Sequence, residues 1–260
     1  LRRLPVAKND SEIDKIKQKG KAKEIEEAWG TRLANITTAV SEVDAEYYRA
    51  LAGNPNQVML FSNVIDLDSY KYTPPKGNLV SSPNIYLAGT FWPGSPMEEA
   101  ARWVIERILP TLVKSFEHIQ FNILGKGSDR VLKDIDQDNV NVLGEVDSVL
   151  PYICHADIIL VPLKFESGTR FKILEAGACS KAVVSTTLGA EGIPVVNGKH
   201  IMIADRSDVF SEAILQLLKD QKLRDQLGQN LHKLIRENYS LTNLENEGRF
   251  ILNSVAEQNR

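Results

Sequence analysis

The sequence predicts an α/β protein built on a doubly wound, mainly parallel sheet. Three observations carry this expectation. After residue 83, apolar runs of strand length alternate with segments of helical period at the spacing of βαβ units. The first run, residues 84–89, is apolar enough to be a strand covered on both faces. The runs also end in glycine or proline, at Gly89-Thr90, Gly125-Lys126, Gly144-Glu145 and Pro162 to Gly168. Right-handed crossovers turn such units into a Rossmann-like layer fold, in which ligands bind outside the carboxyl ends of the strands. Those ends should therefore converge on one crevice.

In chain order, residues 11–34 are rich in Lys and Glu with thin apolar spacing (Ile13, Ile16, Ile25, Trp29, Leu33). They read as a surface helix frayed at Gly20, its charge run a solvated face. Residues 35–40 and 57–61 read as short strands. Residues 41–51 between them read as a helix with Ser41 as N-cap and Asp44 three positions on. So few elements cannot build an independent core, so the beginning of the chain resembles the tail end of another domain. Residues 69–83, with YKYTPPKG followed by Ser-Ser-Pro, mark a linker. Ser95-Pro96-Met97-Glu98 opens a helix as a capping box, with Met97, Ala101, Val104, Ile108 and Leu112 at helical spacing. Strands follow at 119–124, 141–143, 157–161, 182–186 and 200–203. Helices are expected at 147–155, 169–179, 208–219, 221–238 and 241–256.

The totals narrow the classes. With 260 residues, 43% hydrophobic and 25% charged, the chain has the composition of an average globular protein. A net charge of −3 gives no broad footprint for nucleic acid. No apolar run reaches the length of a membrane span and no signal peptide opens the chain, so cytoplasm is the expected location and membrane contact is not evident. Cys154 and Cys179 fall in predicted helices and read as small core residues, with one disulfide left open. The chain begins Leu1-Arg2-Arg3 without Met, which suggests processing or a piece of something longer.

The stretch FESGTRFKILEAGAC, residues 165–179, concentrates the chemistry. It sets a glycine turn, Arg170, Lys172, Glu166 and Glu175 around a helix start. A helix N-terminus carries about half a positive charge, so a cation there costs about 0.3–1 kcal/mol. An anion bound to the free N–H groups would account for both cations, and phosphate is the obvious candidate. The competing reading is an exposed Lys172–Glu175 pair three residues apart.

Other motifs fail. Gly89-Thr90-Phe91-Trp92-Pro93-Gly94 lacks the glycine spacing of a dinucleotide site, and Gly125-Lys126-Gly127 breaks the P-loop pattern. Asp66/Asp68 and Asp136/Asp138 are loop acids two apart, common by chance among 34 acidic residues. His118, His155, His200 and His232 lack zinc spacing, and no Gly-x-Ser-x-Gly elbow occurs.

From about residue 37 onward the chain resembles the glycosyltransferase family 4 group, retaining enzymes of the two-Rossmann GT-B fold. The motifs that carry the resemblance are ITTAVSE (36–42), FSNVIDLDSY (61–70), NIYLAGTF (84–91), NILGKG (122–127), NVLGEV (141–146), ADIILVPL (156–163), GTRFKILEAGACSKAVVST (168–186) and LGAEGI (188–193). The resemblance implies a nucleoside-diphosphate sugar as donor substrate, with no metal or other cofactor expected. It places the ribose on Glu175 and the diphosphate on the turn at Ser167, Gly168 and Thr169. Gly89 and Thr90 line the same cleft, with Lys126 as a further phosphate-binding cation and backbone at Glu145 and Val146 meeting the base. Arg170 and Lys172 are the expected catalytic cations, and Glu166 the expected acid near the sugar. The acceptor is an unknown carbohydrate or lipid-linked molecule.

The sequence departs from the family pattern in places. Glu166 lies one position earlier than the usual Glu-x7-Glu spacing, and Phe91-Trp92-Pro93 replaces the usual Arg and Lys after the first strand. Ser180-Lys181-Ala182 replaces the common Gly-Lys-Pro turn, and Glu191 either faces the cleft or caps a turn. The resemblance divides the chain into residues 1–75, a remnant of an acceptor domain plus linker, residues 76–240, the donor domain, and residues 241–260, a helix crossing back to the N-terminal part. Transfer is the leading expectation. A non-catalytic nucleotide-sugar-binding module is the second, and an epimerase on the same architecture, for which no acid and base pair stands out, the third.

Overall fold

The computed structural model describes residues 9–71, 83–165 and 171–258. Helix α1 (Asp10–Leu33) opens on Asn9, whose side chain accepts the Glu12 N–H at 2.9 Å. It runs unbroken through Gly20, where the sequence leads one to expect fraying, because the Lys and Glu residues around the glycine favour helix. Strand β1 (Thr37–Ala39), helix α2 (Glu42–Leu51) and strand β2 (Val58–Leu60) follow. Ser41 caps α2 as expected, its Oγ accepting the Asp44 N–H at 3.2 Å. β1 and β2 pair in parallel over a cluster of Ala39, Ala45 and Val58 that is separate from the main core.

A connector of residues 61–71 leads onward. Asp66 shapes it, accepting the Asp68 N–H at 3.1 Å and the Ser69 hydroxyl at 2.6 Å to close the turn Leu67–Tyr70. Asp66 is thus a turn-former, the local role that Asp side chains favour.

Strand β3 (Asn84–Ala88) begins the main sheet, and α3 (Pro96–Trp103) follows. Ser95 accepts the Glu98 N–H at 3.1 Å, as a capping box requires. The return bond differs: Glu98 takes the N–H of Gly94 at 2.7 Å, because the Ser95 N–H already donates to the Trp92 carbonyl at 2.9 Å. The helix expected to run through to Leu112 is interrupted by a π-helical turn, Val104–Ile108, before α4 (Leu109–Val113). Pro110 explains it. A proline ring collides with the carbonyl four residues back, and a wider turn relieves the collision.

β4 (Gln120–Leu124), α5 (Ser128–Val131), β5 (Val140–Gly144), α6 (Leu150–His155) and β6 (Ile158–Val161) come next. Then follow α7 (Phe171–Ala178), β7 (Ala182–Ser185), β8 (Met202–Ile203), α8 (Ser207–Lys219), α9 (Gln221–Asn238) and α10 (Leu241–Gln258). The six strands are all parallel, in the order β5-β4-β3-β6-β7-β8. The order reverses direction between β3 and β6, so the ligand crevice of this topology opens there.

The two sheet faces differ chemically. Ile85, Leu87, Phe121, Ile123, Ile158 and Leu160 are buried and occupy one face by alternation. α3 and α8 meet through Trp103 and Phe210, whose rings cross at 5.2 Å. The other face carries Asn84, Tyr86, Gln120, Asn122 and Asn141, matched across β3, β4 and β5 by register. There Asn141 donates to Gln120 Oε1 at 2.9 Å and to Asn122 Oδ1 at 3.0 Å.

α10 meets the connector. Glu247 accepts the Ser62 N–H at 2.7 Å and its hydroxyl at 2.9 Å, while the Ile65 N–H donates to the Tyr239 carbonyl at 2.9 Å. Among the described residues no helix is long and apolar enough to cross a membrane.

Candidate active site

The crevice is framed by loops that fasten to one another through their backbones. Gly89 N–H donates to the Leu124 carbonyl at 3.1 Å, Phe91 N–H to that of Lys126 at 2.8 Å, and Gly125 N–H to that of Gly144 at 2.7 Å. These bonds stitch the loops after β3, β4 and β5 into one wall. They also explain Gly125-Lys126-Gly127. Gly125 has φ +120°, and a Cβ there would lie 1.9 Å from the Gly89 oxygen; one at Gly127 (φ +81°) would lie 2.4 Å from the Phe91 oxygen. The glycines that fail as a phosphate loop are the ones that let adjacent loops touch.

The second wall is fastened by hydroxyls. Thr186 Oγ1 donates to the Leu163 carbonyl at 2.5 Å and accepts the Gly189 N–H at 2.9 Å, and Ser185 Oγ donates to the Val161 carbonyl at 3.1 Å. The loops after β6 and β7 are thereby held together. Glu191 ends the short turn Leu188–Ala190 beyond this wall.

The expected site residues sort as follows. Gly89, Thr90, Lys126, Glu145 and Val146 lie on the stitched loops; Thr90, Lys126 and Glu145 are exposed, while Val146 packs against the core. Phe91, which stands at a position where the family pattern has a cation, is buried in the core, and Trp92 is exposed. Glu166, Ser167, Gly168, Thr169 and Arg170 fall outside the described residues. Lys172 and Glu175 sit in the first two turns of α7, and the Lys172 charge acts on the Glu175 carboxylate. Lys164, just after β6, stands 4.6 Å from the Trp103 ring centre in a cation–π contact.

Glu175 has the most unusual surroundings of the described candidates. Burial raises its pKa above the ordinary glutamate value, opposed by a hydrogen bond from Tyr70 and by the charge of Lys172. Tyr70 Oη, from the connector, donates to Glu175 Oε1 at 3.0 Å. Tyr86 of β3 is buried, its hydroxyl has no hydrogen-bond partner among the described residues, and burial followed by the Glu175 charge drives its pKa up. Sequence reasoning singles out neither tyrosine, since no spacing rule relates residue 70 or 86 to residue 175. The one available signal is a phenol within an otherwise apolar strand run.

The cysteines resolve a point that the sequence leaves open. Cys154 lies in α6 and Cys179 just beyond α7, both half-buried free thiols with sulfurs 4.0 Å apart. A hydrogen bond from Cys179 lowers the Cys154 pKa to about 7, while the bond to Cys154 and burial push that of Cys179 up. Three of the four histidines make structural contacts, and His118 is exposed. His155 Nδ1 contacts the Pro151 carbonyl at 2.7 Å, the Val196 N–H donates to His200 Nδ1 at 3.0 Å, and His232 Nδ1 contacts the Gly177 carbonyl at 3.0 Å. No cluster of three or more metal-ligating side chains occurs among the described residues.

The family model described as glycosyl transferases group 1 matches residues 82–220, which span the sheet, both walls and α7. The chain belongs to the group 1 glycosyltransferases. An uncharacterized glycosyltransferase of Methanocaldococcus jannaschii is 27% identical over 139 residues, covering 49% of this chain and 39% of that protein. The group 1 fold recurs in HepE of Anabaena, solved in complex with UDP and glucose, with a TM-score of 0.67 at 15% identity over 85% of this chain and 63% of that one. Sucrose-phosphate synthase of Thermosynechococcus elongatus matches with a TM-score of 0.69 at 18% identity, covering 91% of this chain and 62% of that one. The chain thus spans about two fifths to one half of the curated relatives it matches.

Proposed function

We propose that this chain forms the donor-binding half of a retaining glycosyltransferase that moves a sugar from a nucleoside diphosphate to a carbohydrate or lipid-linked acceptor. The observation that carries the reading is Glu175, a carboxylate kept partly buried yet hydrogen-bonded at the strand-order switch, in the family region. In this reading Glu175 takes the ribose hydroxyls. The Ser167-Gly168-Thr169 turn and the start of α7 face the diphosphate, with Arg170, Lys172 and Lys126 supplying positive charge. Gly89 and Thr90 line the sugar side, Glu166 approaches the sugar, and backbone at Glu145 and Val146 meets the base.

The chemistry follows from charge. As the sugar–phosphate bond breaks, the leaving nucleoside diphosphate gains negative charge, and fixed donors aimed at it lower the barrier. Cations on a helix start that already favours anions supply that stabilisation without a metal. Residues 1–75 and 241–260 are, in the same proposal, the end of an acceptor-side domain and the helix that braces it; the bonds from Glu247 to Ser62 support that brace.

Calorimetry with UDP, GDP and their sugars tests the reading. Binding of one nucleotide by the chain, and its loss in a folded Glu175→Ala variant, is expected. Unchanged affinity in that variant removes the site assignment, and absence of binding by any of these nucleotides sinks the donor reading. The displaced Glu166 favours a second reading, a non-catalytic nucleotide-sugar-binding module. Donor binding without transfer in the full-length gene product would decide for it.

A further inference from the structure

We infer that Tyr70 is a positioning residue for the donor site, fixing the Glu175 carboxylate and tying donor affinity to the connector between the two parts of the chain. This rests on the donor reading of Glu175. Tyr70 closes the turn Leu67–Tyr70 in the connector and donates its phenolic proton to Glu175 Oε1 at 3.0 Å. The bond joins residues 105 positions apart, so it is a tertiary contact made for this site rather than a local turn bond. Glu175 keeps part of its surface open, so with Oε1 occupied its other oxygen can meet a ligand hydroxyl.

The surroundings give the bond its purpose. Burial favours the uncharged acid, and only the ionised carboxylate offers both oxygens as charged acceptors without also carrying a donor. Among the described residues, the groups that act on Glu175 or face it come from each packed element. Tyr70 comes from the connector, Tyr86 from β3, Lys172 and Cys179 from around α7, and Cys154 from α6 behind Cys179. Of these, Tyr70 and Lys172 favour the charge. The Tyr70 bond also orients the carboxylate, which a more distant cation does not do.

The same segment is fastened at two further points, Ser62 to Glu247 and Ile65 to Tyr239. A shift of the connector that frees Tyr70 would release the carboxylate to protonate and rotate. Donor affinity then reports the position of the connector, and through it that of the N-terminal elements.

The test is UDP and GDP binding by the 260-residue chain and its Tyr70→Phe variant, measured by calorimetry from about pH 5.5 to about pH 8. Removing a hydrogen bond to a charged group is expected to weaken binding by about tenfold at the acid end and by clearly less at the alkaline end, where the carboxylate loses only its orienting bond. A structural role for Tyr70 would weaken binding equally at every pH, and that outcome overturns the inference. So does wild-type affinity across the whole range. If the wild-type chain binds neither nucleotide, the donor reading falls and this inference falls with it, whereas binding with an unaltered Tyr70→Phe profile removes only the inference.

Discussion

Replacing Gly125 with alanine tests the claim that the crevice wall is made by loops touching through their backbones. Two costs add at this position. The residue has φ +120°, which an L side chain rarely adopts, and a methyl group would sit 1.9 Å from the Gly89 oxygen. A normal carbon–oxygen contact needs more than 3 Å, about the closest approach of non-bonded carbon and oxygen, so the β3 and β4 loops must part by about 1 Å or more. That movement strains the bonds from Gly89 to Leu124 and from Phe91 to Lys126. Backbone strain of about 1–2 kcal/mol and the loss of one or two hydrogen bonds at about 1 kcal/mol each give about 3 kcal/mol. For a chain of this size that lowers the melting temperature by about 6–12 °C. Gly94 is the control. It has φ +73° with nothing within 4 Å of an added methyl, so Gly94→Ala bears the backbone term alone, about 1–2 kcal/mol. Thermal unfolding of both variants separates the terms. If Gly125→Ala costs no more than Gly94→Ala, the loops are not held as described and the explanation of Gly-Lys-Gly is wrong.

Further expectations concern the connector and the carboxylate. Glu247→Ala strips partners from the Ser62 N–H and hydroxyl and should cost about 1–3 kcal/mol, read by urea unfolding; a change below about 0.5 kcal/mol would mean the brace adds nothing. Because the folded-state pKa of Glu175 is raised, the folded chain holds that proton more tightly than the unfolded one. Its charge therefore lowers stability as pH climbs from the ordinary glutamate value through the raised one, and the penalty is absent below both. Glu175→Gln should flatten that part of the stability–pH curve, and an unchanged curve would count against the burial of the group. Tyr86→Phe removes a buried hydroxyl without a partner, so the fold should gain up to about 1 kcal/mol in denaturant unfolding; a clear loss would show that the hydroxyl is bonded.

The sheet is legible in the sequence because strands buried on both faces leave apolar runs and crossover helices leave a regular spacing between them. The caps at Ser41 and Ser95 are legible for the same kind of reason, being local chemistry within four residues. What lies further apart in sequence is not. The π-helical turn before Pro110 is a relaxation around one ring, and helical spacing of the apolar residues runs straight through it. Gly125 and Gly127 invite comparison with a phosphate-binding pattern, while the reason for them sits on a neighbouring strand's loop. The cysteines read as small core residues with a disulfide left open, since nothing in the sequence fixes how close residue 154 lies to residue 179.

The polar sheet face that carries Tyr86 sets stability against the site. A sheet wants apolar residues under its helices, and the opposite face complies with Ile85, Leu87, Phe121 and Ile123. On this side the strands carry Asn84, Tyr86, Gln120, Asn122 and Asn141, and Asn84 Oδ1, Tyr86 Oη and Asn122 Nδ2 are buried without partners among the described residues. Each orphan costs about 1–3 kcal/mol, so the arrangement is not explained by stability. Among these side chains, Tyr86 is the one on which the Glu175 charge is seen to act. An apolar bed would push that carboxylate further toward its neutral form, and a neutral acid loses the strength with which a charged acceptor binds hydroxyl protons. Among the described residues such orphans are not confined to this layer, since Thr37 Oγ1 and Ser128 Oγ are also buried without partners, but Tyr86 stands where the Glu175 charge acts, and Tyr70 bonds that carboxylate from the connector.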